Sequence, residues 1–419
     1  MKVANHKAKD ILRRYFSFKQ TDNGSVSKSA VWLIFLVGLI VRVIHIALLK
    51  EGFYFSDFKA YDDAAQSLIA GQGFGPEFAR PPLYPLFLAA NYLLFGVHIL
   101  PVRLIQALIG ALGCVLIFYV THHILGKKAA YVAAAISVFY PYYIFIAGLL
   151  YPTLLTSFLL ICVIYLIILA LKKNSVLWLV IASLCLGLAS LAVPVSLAFL
   201  PFLILWFFLF SGFESKRKVS YSIISLSVVV ICLSPWIYRC YDLYGKFVPI
   251  DPRVSKHLPV VSQETELGKG EKVPSEQRIG LILSHPGKFL LNVSGEFIRF
   301  WKFVPDRVVT KNKDYRIERN QMDERMVVDN PYTSHWVDWV SILTYGPVFI
   351  LAIIGVVLGL HSWRFLSLPV FLLLSHAIGY SFFFSQTRYR LPVEFCLMIL
   401  AGGGVVGLWM WLRDRKSAI

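Results

Sequence analysis

The chain has 419 residues, 57% hydrophobic and only 16% charged, where a soluble domain carries about a quarter charged residues. That much apolar surface cannot be hidden in a water-soluble core, and runs of about 20 apolar residues recur, the length that crosses a bilayer as a helix. A barrel would show short alternating segments instead, and the net charge of +17 fits basic flanks at cytoplasmic helix ends, so no nucleic-acid partner is expected.

Residues 1–30 are polar and rich in Lys and Arg, a cytoplasmic N-terminal segment without a recognisable cleavable signal peptide. The first span, 31–49, leads to a polar stretch at 51–82 that holds Asp57, Asp62, Asp63, Glu77, Arg80 and Pro81-Pro82. Within it, DDAAQSLIAG predicts a short helix that starts at the paired carboxylates and ends at Gly71. The segment 83–97 is short and opens in prolines, so it reads as a juxtamembrane or re-entrant helix. Further spans are expected at 102–124, 128–147, 153–171, 176–192, 195–211, 219–238, 338–360, 365–384 and 391–412. The long loop 240–337 carries an amphipathic stretch at 286–304. There Phe289, Leu290, Val293, Phe297, Phe300 and Trp301 recur at helical spacing, which suits a helix on the membrane surface or one packed on the bundle. The expected fold is therefore all-α, a polytopic transmembrane bundle of about ten spans with outer juxtamembrane helices. Its parts are an N-terminal segment (1–30), a transmembrane core (31–239), an outer loop (240–337) and a C-terminal set of spans (338–419).

Lys127-Lys128, Lys172-Lys173, Lys216-Arg217-Lys218, Arg364 and the basic residues at 413–416 mark cytoplasmic ends. They agree with one another only if 83–97 does not cross. Asp57, Arg80, Tyr151-Pro152, Arg239, Arg388 and Arg390 then all fall on the outer side. The six cysteines sit mostly in apolar runs with no CxxC spacing, which suits core packing and not a disulfide or zinc framework.

Asp57 could take a proton from an attacking hydroxyl, or be a solvated loop residue. Arg80 could grip a phosphate through two parallel hydrogen bonds, or snorkel to lipid headgroups. Arg239, Arg388 and Arg390 are each ordinary interfacial anchors alone; beside a carboxylate loop they suggest a site for an anionic lipid headgroup. Glu394, just inside a span, needs a partner, and Arg390 is the expected one. Arg42 and His45 in the first span carry the same requirement. No P-loop, dinucleotide fingerprint or zinc-protease motif is present, so a reaction here must draw on an activated substrate.

Several stretches in order resemble the membrane glycosyltransferases of the GT-C fold. They are Asp57-Phe58-Lys59-Ala60-Tyr61, Ala65–Gly73, Arg80-Pro81-Pro82-Leu83-Tyr84, Phe95-Gly96 with Arg103-Leu104-Ile105-Gln106, Pro235–Arg239 with Gly245–Ile250, and Arg388-Tyr389-Arg390-Leu391-Pro392. The nearest group is the dolichyl-phosphate-mannose-protein mannosyltransferase-like family, which includes bacterial lipid A aminoarabinose transferases. The resemblance implies Asp57 as catalytic carboxylate and Arg80 as a contact to the carrier phosphate. It adds Tyr61, Tyr84, Arg239, Arg388 and Arg390 to the substrate- and phosphate-binding set. It further implies a polyprenyl-phosphate sugar donor, a lipid, glycan or protein acceptor, inversion at the anomeric carbon, and an inner-membrane enzyme whose site faces the periplasm. Three positions depart from the family pattern. Phe58 stands where Glu often follows the catalytic Asp, Leu150-Tyr151-Pro152-Thr153 lacks the acidic residue of the second outer loop, and Val193 replaces a basic residue. The second departure weakens the case for a bound metal, since a carboxylate pair from two loops would be its natural ligand set; no cofactor is expected, and a divalent metal is left open without support. The alternative function is a transporter or flippase of a lipid-linked sugar, a class that often shows internal repeats not seen here.

Overall fold

A computed structural model of the chain describes residues 26–55, 57–75, 78, 80–245, 280, 283–305, 335–359, 363–383 and 385–416. The expectations for residues 1–25, Glu77, Lys246–Ile250 and most of the outer loop lie outside these residues. The regular elements of the described residues are all helices. In chain order they are α1 (Lys28–Ala47), α2 (Asp57–Ile69), α3 (Leu83–Phe95), α4 (Ile99–Leu125), α5 (Lys127–Phe139), α6 (Pro141–Phe145) and α7 (Thr153–Lys173). There follow α8 (Val176–Ala192), α9 (Phe199–Phe210), α10 (Ser215–Tyr244), α11 (Pro286–Phe300), α12 (Trp336–Gly359), α13 (Trp363–Ser381) and α14 (Glu394–Lys416).

Every stretch expected to span is helical, but the count differs from ten. Among the described residues, seven helices are long and apolar enough to cross, or eight if a bent pair counts as one span. Three expected spans, 128–147, 176–192 and 195–211, account for the difference. Pro141 interrupts the expected span 128–147, and α5 and the helical stretch after it meet at 53°, because proline lacks the N–H that would continue the ladder. Helix α8 keeps its expected bounds but has only 17 residues, and Pro194 opens a 3-10 turn, Pro194–Ala198, that leaves α9 with 12, each short of about 20. Helix α3 has 13 residues. It reaches about 20 Å, too little for a hydrocarbon core of about 30 Å, which agrees with the non-crossing reading of 83–97.

Glycines let the bundle close. A Cβ on Gly355 of α12 or Gly404 of α14 would run into the backbone carbonyl of Leu400 or Leu351, so these two helices pack backbone to backbone, as small residues permit inside membranes. The charged residues Arg42, Arg390 and Glu394 of the spans find partners inside the bundle. Arg42 is fully buried and donates to the Gly38 carbonyl at 2.9 Å, the Ser137 carbonyl at 3.3 Å and Cys114 Sγ at 3.4 Å. Arg390 meets Glu394 at 2.7 Å, the pairing the sequence anticipated.

A second apolar cluster lies apart from the main core. Phe53, Tyr54, Phe58, Tyr61, Tyr84, Leu88, Tyr92, Leu149 and Leu150 pack together and seat α2 and α3 against the loop before α7. This is the end of the bundle that carries Asp57.

Candidate active site

Helix α2 starts five residues earlier than the sequence suggests, so Asp57 itself occupies the first turn, where exposed N–H groups and the helix dipole favour a carboxylate. The inward face, Phe58, Tyr61, Asp62, Ala64 and Ala65, follows helical spacing and fixes the rotation of α2. Asp57 is left at the rim, 30% exposed. Asp62 instead points in. At 1% exposure it accepts from the Tyr92 hydroxyl at 2.6 Å and from Gln66 Nε2 at 2.7 Å, so it fastens α2 to α3. Asp63 is exposed beside Lys59 at 3.9 Å.

Two guanidinium groups converge on Asp57. Arg80 Nη2 donates to Oδ1 at 2.9 Å, and Arg388 Nη1 approaches Oδ2 at 3.5 Å. Arg80 comes from just before the rigid Pro81-Pro82 that opens α3, and Arg388 from the 3-10 turn Thr387–Tyr389. Beneath them lies an aromatic floor. Arg80 sits 5.1 Å over Tyr61, and Arg388 sits 5.9 Å over Tyr151 and 5.3 Å over Tyr389. The rings of Tyr61 and Tyr151 pack edge to face with centroids 6.0 Å apart. Burial would lower the Arg80 pKa, but the Tyr61 hydroxyl and the Asp57 carboxylate outweigh it and raise the value. Burial, then Tyr61, raises the Tyr151 phenol, so it stays neutral at physiological pH.

Other expected contacts take different places. Tyr84 is fully buried, and its hydroxyl donates to Gln106 Oε1 at 2.9 Å. Gln106 in turn holds the Ala147 and Leu149 carbonyls at 3.0 and 2.8 Å, so Tyr84 braces the loop that presents Tyr151. Arg239 donates to the Gly75 carbonyl at 2.9 Å and lies over Phe74 and Trp236. It pins a loop in which Gly71, Gly73 and Gly75 all have positive φ, a conformation that suits glycine. Arg390 is 1% exposed. Besides Glu394 it donates to the Phe300 and Lys302 carbonyls, both at 2.9 Å, and lies 3.5 Å over Tyr345. Its charge is spent on the frame around the site. Sequence reasoning did not single out Arg103, which is 3% exposed and bonds the carbonyls of Gly148, Lys50 and Gly52. Its position in the Arg103-Leu104-Ile105-Gln106 motif, inside a span, was the available signal. Among the described residues no three His, Cys, Asp or Glu side chains gather as a metal site would require.

Residues 79–238 match the model of the dolichyl-phosphate-mannose-protein mannosyltransferase family. Among solved structures, ArnT from Cupriavidus metallidurans bound to undecaprenyl phosphate aligns with 91% of this chain at TM-score 0.55 and 16% identity. The archaeal oligosaccharyltransferase AglB from Archaeoglobus fulgidus, in complex with an inhibitory peptide and a dolichol-phosphate, aligns with 93% at TM-score 0.59 and 13% identity. The chain has the GT-C fold of these structures, and its residues 79–238 resemble the mannosyltransferase-like family. No curated protein matches it, and it spans 61% of the ArnT chain and 51% of the AglB chain. As a GT-C-fold chain with several apolar spans it is an integral membrane protein. The family match includes Arg80, Tyr84, Arg103 and Tyr151 but stops short of Arg239 and excludes Asp57 and Arg388, so the two guanidinium groups on Asp57 come from inside and outside the matched stretch.

Proposed function

We propose that this protein is an inverting glycosyltransferase that moves a sugar from a polyprenyl-phosphate donor to an acceptor hydroxyl at the outer face of the inner membrane. The observation that carries the reading is Asp57 held between Arg80 and Arg388 over an aromatic floor at one end of the bundle. A phosphate monoanion or dianion competes with the carboxylate for both guanidinium groups, which can grip it through charge-assisted bonds. Asp57 then accepts the proton of the acceptor hydroxyl as that oxygen bonds to the anomeric carbon. The bond from that carbon to the phosphate oxygen breaks, the electron pair leaves with the polyprenyl phosphate, and Arg80 and Arg388 stabilise the departing charge. A single displacement inverts the centre.

Three features support the donor class and the side. The solved ArnT and AglB structures hold undecaprenyl phosphate and a dolichol-phosphate. An apolar cavity of about 290 Å³, lined by Phe297, Trp301, Phe349, Ile353, Leu373 and Leu397 among others, lies on the side of the bundle where α11 to α14 meet. The helices that begin beside the site, α4, α7 and α14, end in or near His123, Lys127-Lys128, Lys172-Lys173 and Arg413, the basic flanks expected in the cytoplasm. The acceptor is a lipid, glycan or protein hydroxyl.

The test is transfer from radiolabelled polyprenyl-phosphate sugars by the full-length protein in nanodiscs. Mass spectrometry of lipid-linked sugars accumulating in a deletion strain supplies the donor. Flipping of the donor in acceptor-free liposomes, without transfer when acceptor is added, would favour the flippase alternative and sink this one.

A further inference from the structure

Helix α11 is the described part of the outer loop that reaches the site. It packs along α13 and against the 3-10 turn Thr387–Tyr389 that carries Arg388. Glu296, one turn before its end and only 13% exposed, accepts the backbone N–H of Ser385 on Oε2 at 2.7 Å, while Oε1 meets Arg299 at 2.5 Å. The last carbonyls of a helix have no intrahelical donor; here that of Phe300, and that of Lys302 just past the helix end, are taken by Arg390. Phe300, fully buried, stacks on Tyr380, which lies 4.6 Å from Tyr389 and parallel to it within 5°. The segment that presents Arg388 is thus tied to α11 on both sides, at Ser385 before it and Arg390 after it. Arg388 itself is 45% exposed and reaches Asp57 at 3.5 Å, so its aim depends on where that backbone is held.

Ser385 is fully buried, and water cannot readily replace the carboxylate on its amide. Without an acceptor the desolvated N–H would be left unpaired, and the strand of chain before Arg388 would move to relieve it. We propose that Glu296 is a positioning residue for the donor-phosphate site. Its hydrogen bond to Ser385 sets the backbone from which Arg388 meets the phosphate, and so couples the outer loop to the reacting centre. This rests on the reading of Arg80 and Arg388 as phosphate ligands.

The experiment measures binding of a sugar-free polyprenyl phosphate to the full-length protein in nanodiscs, together with amide hydrogen exchange. Glu296→Ala weakens binding about tenfold, as does Arg388→Ala, and the double variant binds no more weakly than Arg388→Ala alone. Glu296→Gln, whose amide oxygen can still accept from Ser385, stays within about twofold of wild type by the same reasoning. Glu296→Asp keeps the charge beside Arg299 but cannot span the gap, so it follows Ala; it also serves if the alanine variant folds poorly. Exchange at 385–389 rises in the Ala and Asp variants and not in Gln, with α7 and α8 unchanged. Losses that multiply in the double variant, or exchange at 385–389 that stays at the wild-type level, overturn the assignment. Wild-type protein that binds no polyprenyl phosphate removes the functional reading instead, and the exchange comparison still decides whether Glu296 holds the segment.

Discussion

Replacing Asp57 with Asn separates chemistry from binding. The substitution keeps an oxygen toward Arg80 but removes the negative charge and the proton acceptor. Loss of a general base lowers turnover by about 10²–10⁴-fold. Folding changes little, because partly exposed ion pairs are worth at most about 1 kcal/mol. Binding of the carrier phosphate moves the other way. With Asp57 at 2.9 Å from Arg80 and 3.5 Å from Arg388, a phosphate on the same groups lies about 6 Å from the carboxylate. At an effective dielectric near 20 that repulsion is about 3 kcal/mol per unit charge. The exposure of Arg388, 45%, lets solvent and salt remove about half of it, which leaves a gain of about tenfold in affinity. The assay pairs polyprenyl-phosphate binding with single-turnover transfer in nanodiscs. Retained turnover, or phosphate binding that weakens as it does in Arg80→Ala, would refute the assignment of Asp57 as base and competitor.

Arg80→Lys keeps the charge but not the fork or the stacking over Tyr61; the donor KM should rise about tenfold or more, with kcat less affected, as steady-state kinetics would show. Arg103→Leu strips the buried Gly148 and Gly52 carbonyls of this donor and leaves the Lys50 carbonyl only the Tyr54 hydroxyl, at a cost of about 2 kcal/mol or more, and should lower the melting temperature in detergent as well as activity. Tyr84→Phe removes one hydrogen bond to Gln106, about 1 kcal/mol, and should leave the donor KM near wild type; a large KM increase would mean that Tyr84 touches substrate after all.

Much of the frame was legible in the residue order because it depends on near neighbours. The lengths of apolar runs mark the spans, and basic residues mark their ends. Arg390 and Glu394 stand four residues apart, a separation that a helical turn brings together. Even so, Pro141 breaks the ladder inside one expected span, and the 3-10 turn that Pro194 opens takes the first residues of another.

The site itself was legible as a set of residue types and not as an arrangement. Asp57 and Asp62 share one helix, and only the packing of Phe58 and Tyr61 decides that the first stays at the rim while the second is buried under Tyr92. Arg388 and Arg390 are two residues apart, yet one reaches Asp57 and the other turns to α11 and Glu394. From its amino-acid order alone this protein is a helical membrane chain with its unusual acids and arginines gathered toward one side. Which arginine meets which acid was decided only by the fold. Asp57 and Arg388 are 331 positions apart, and no local periodicity encodes a contact that exists only once the helices between them have packed.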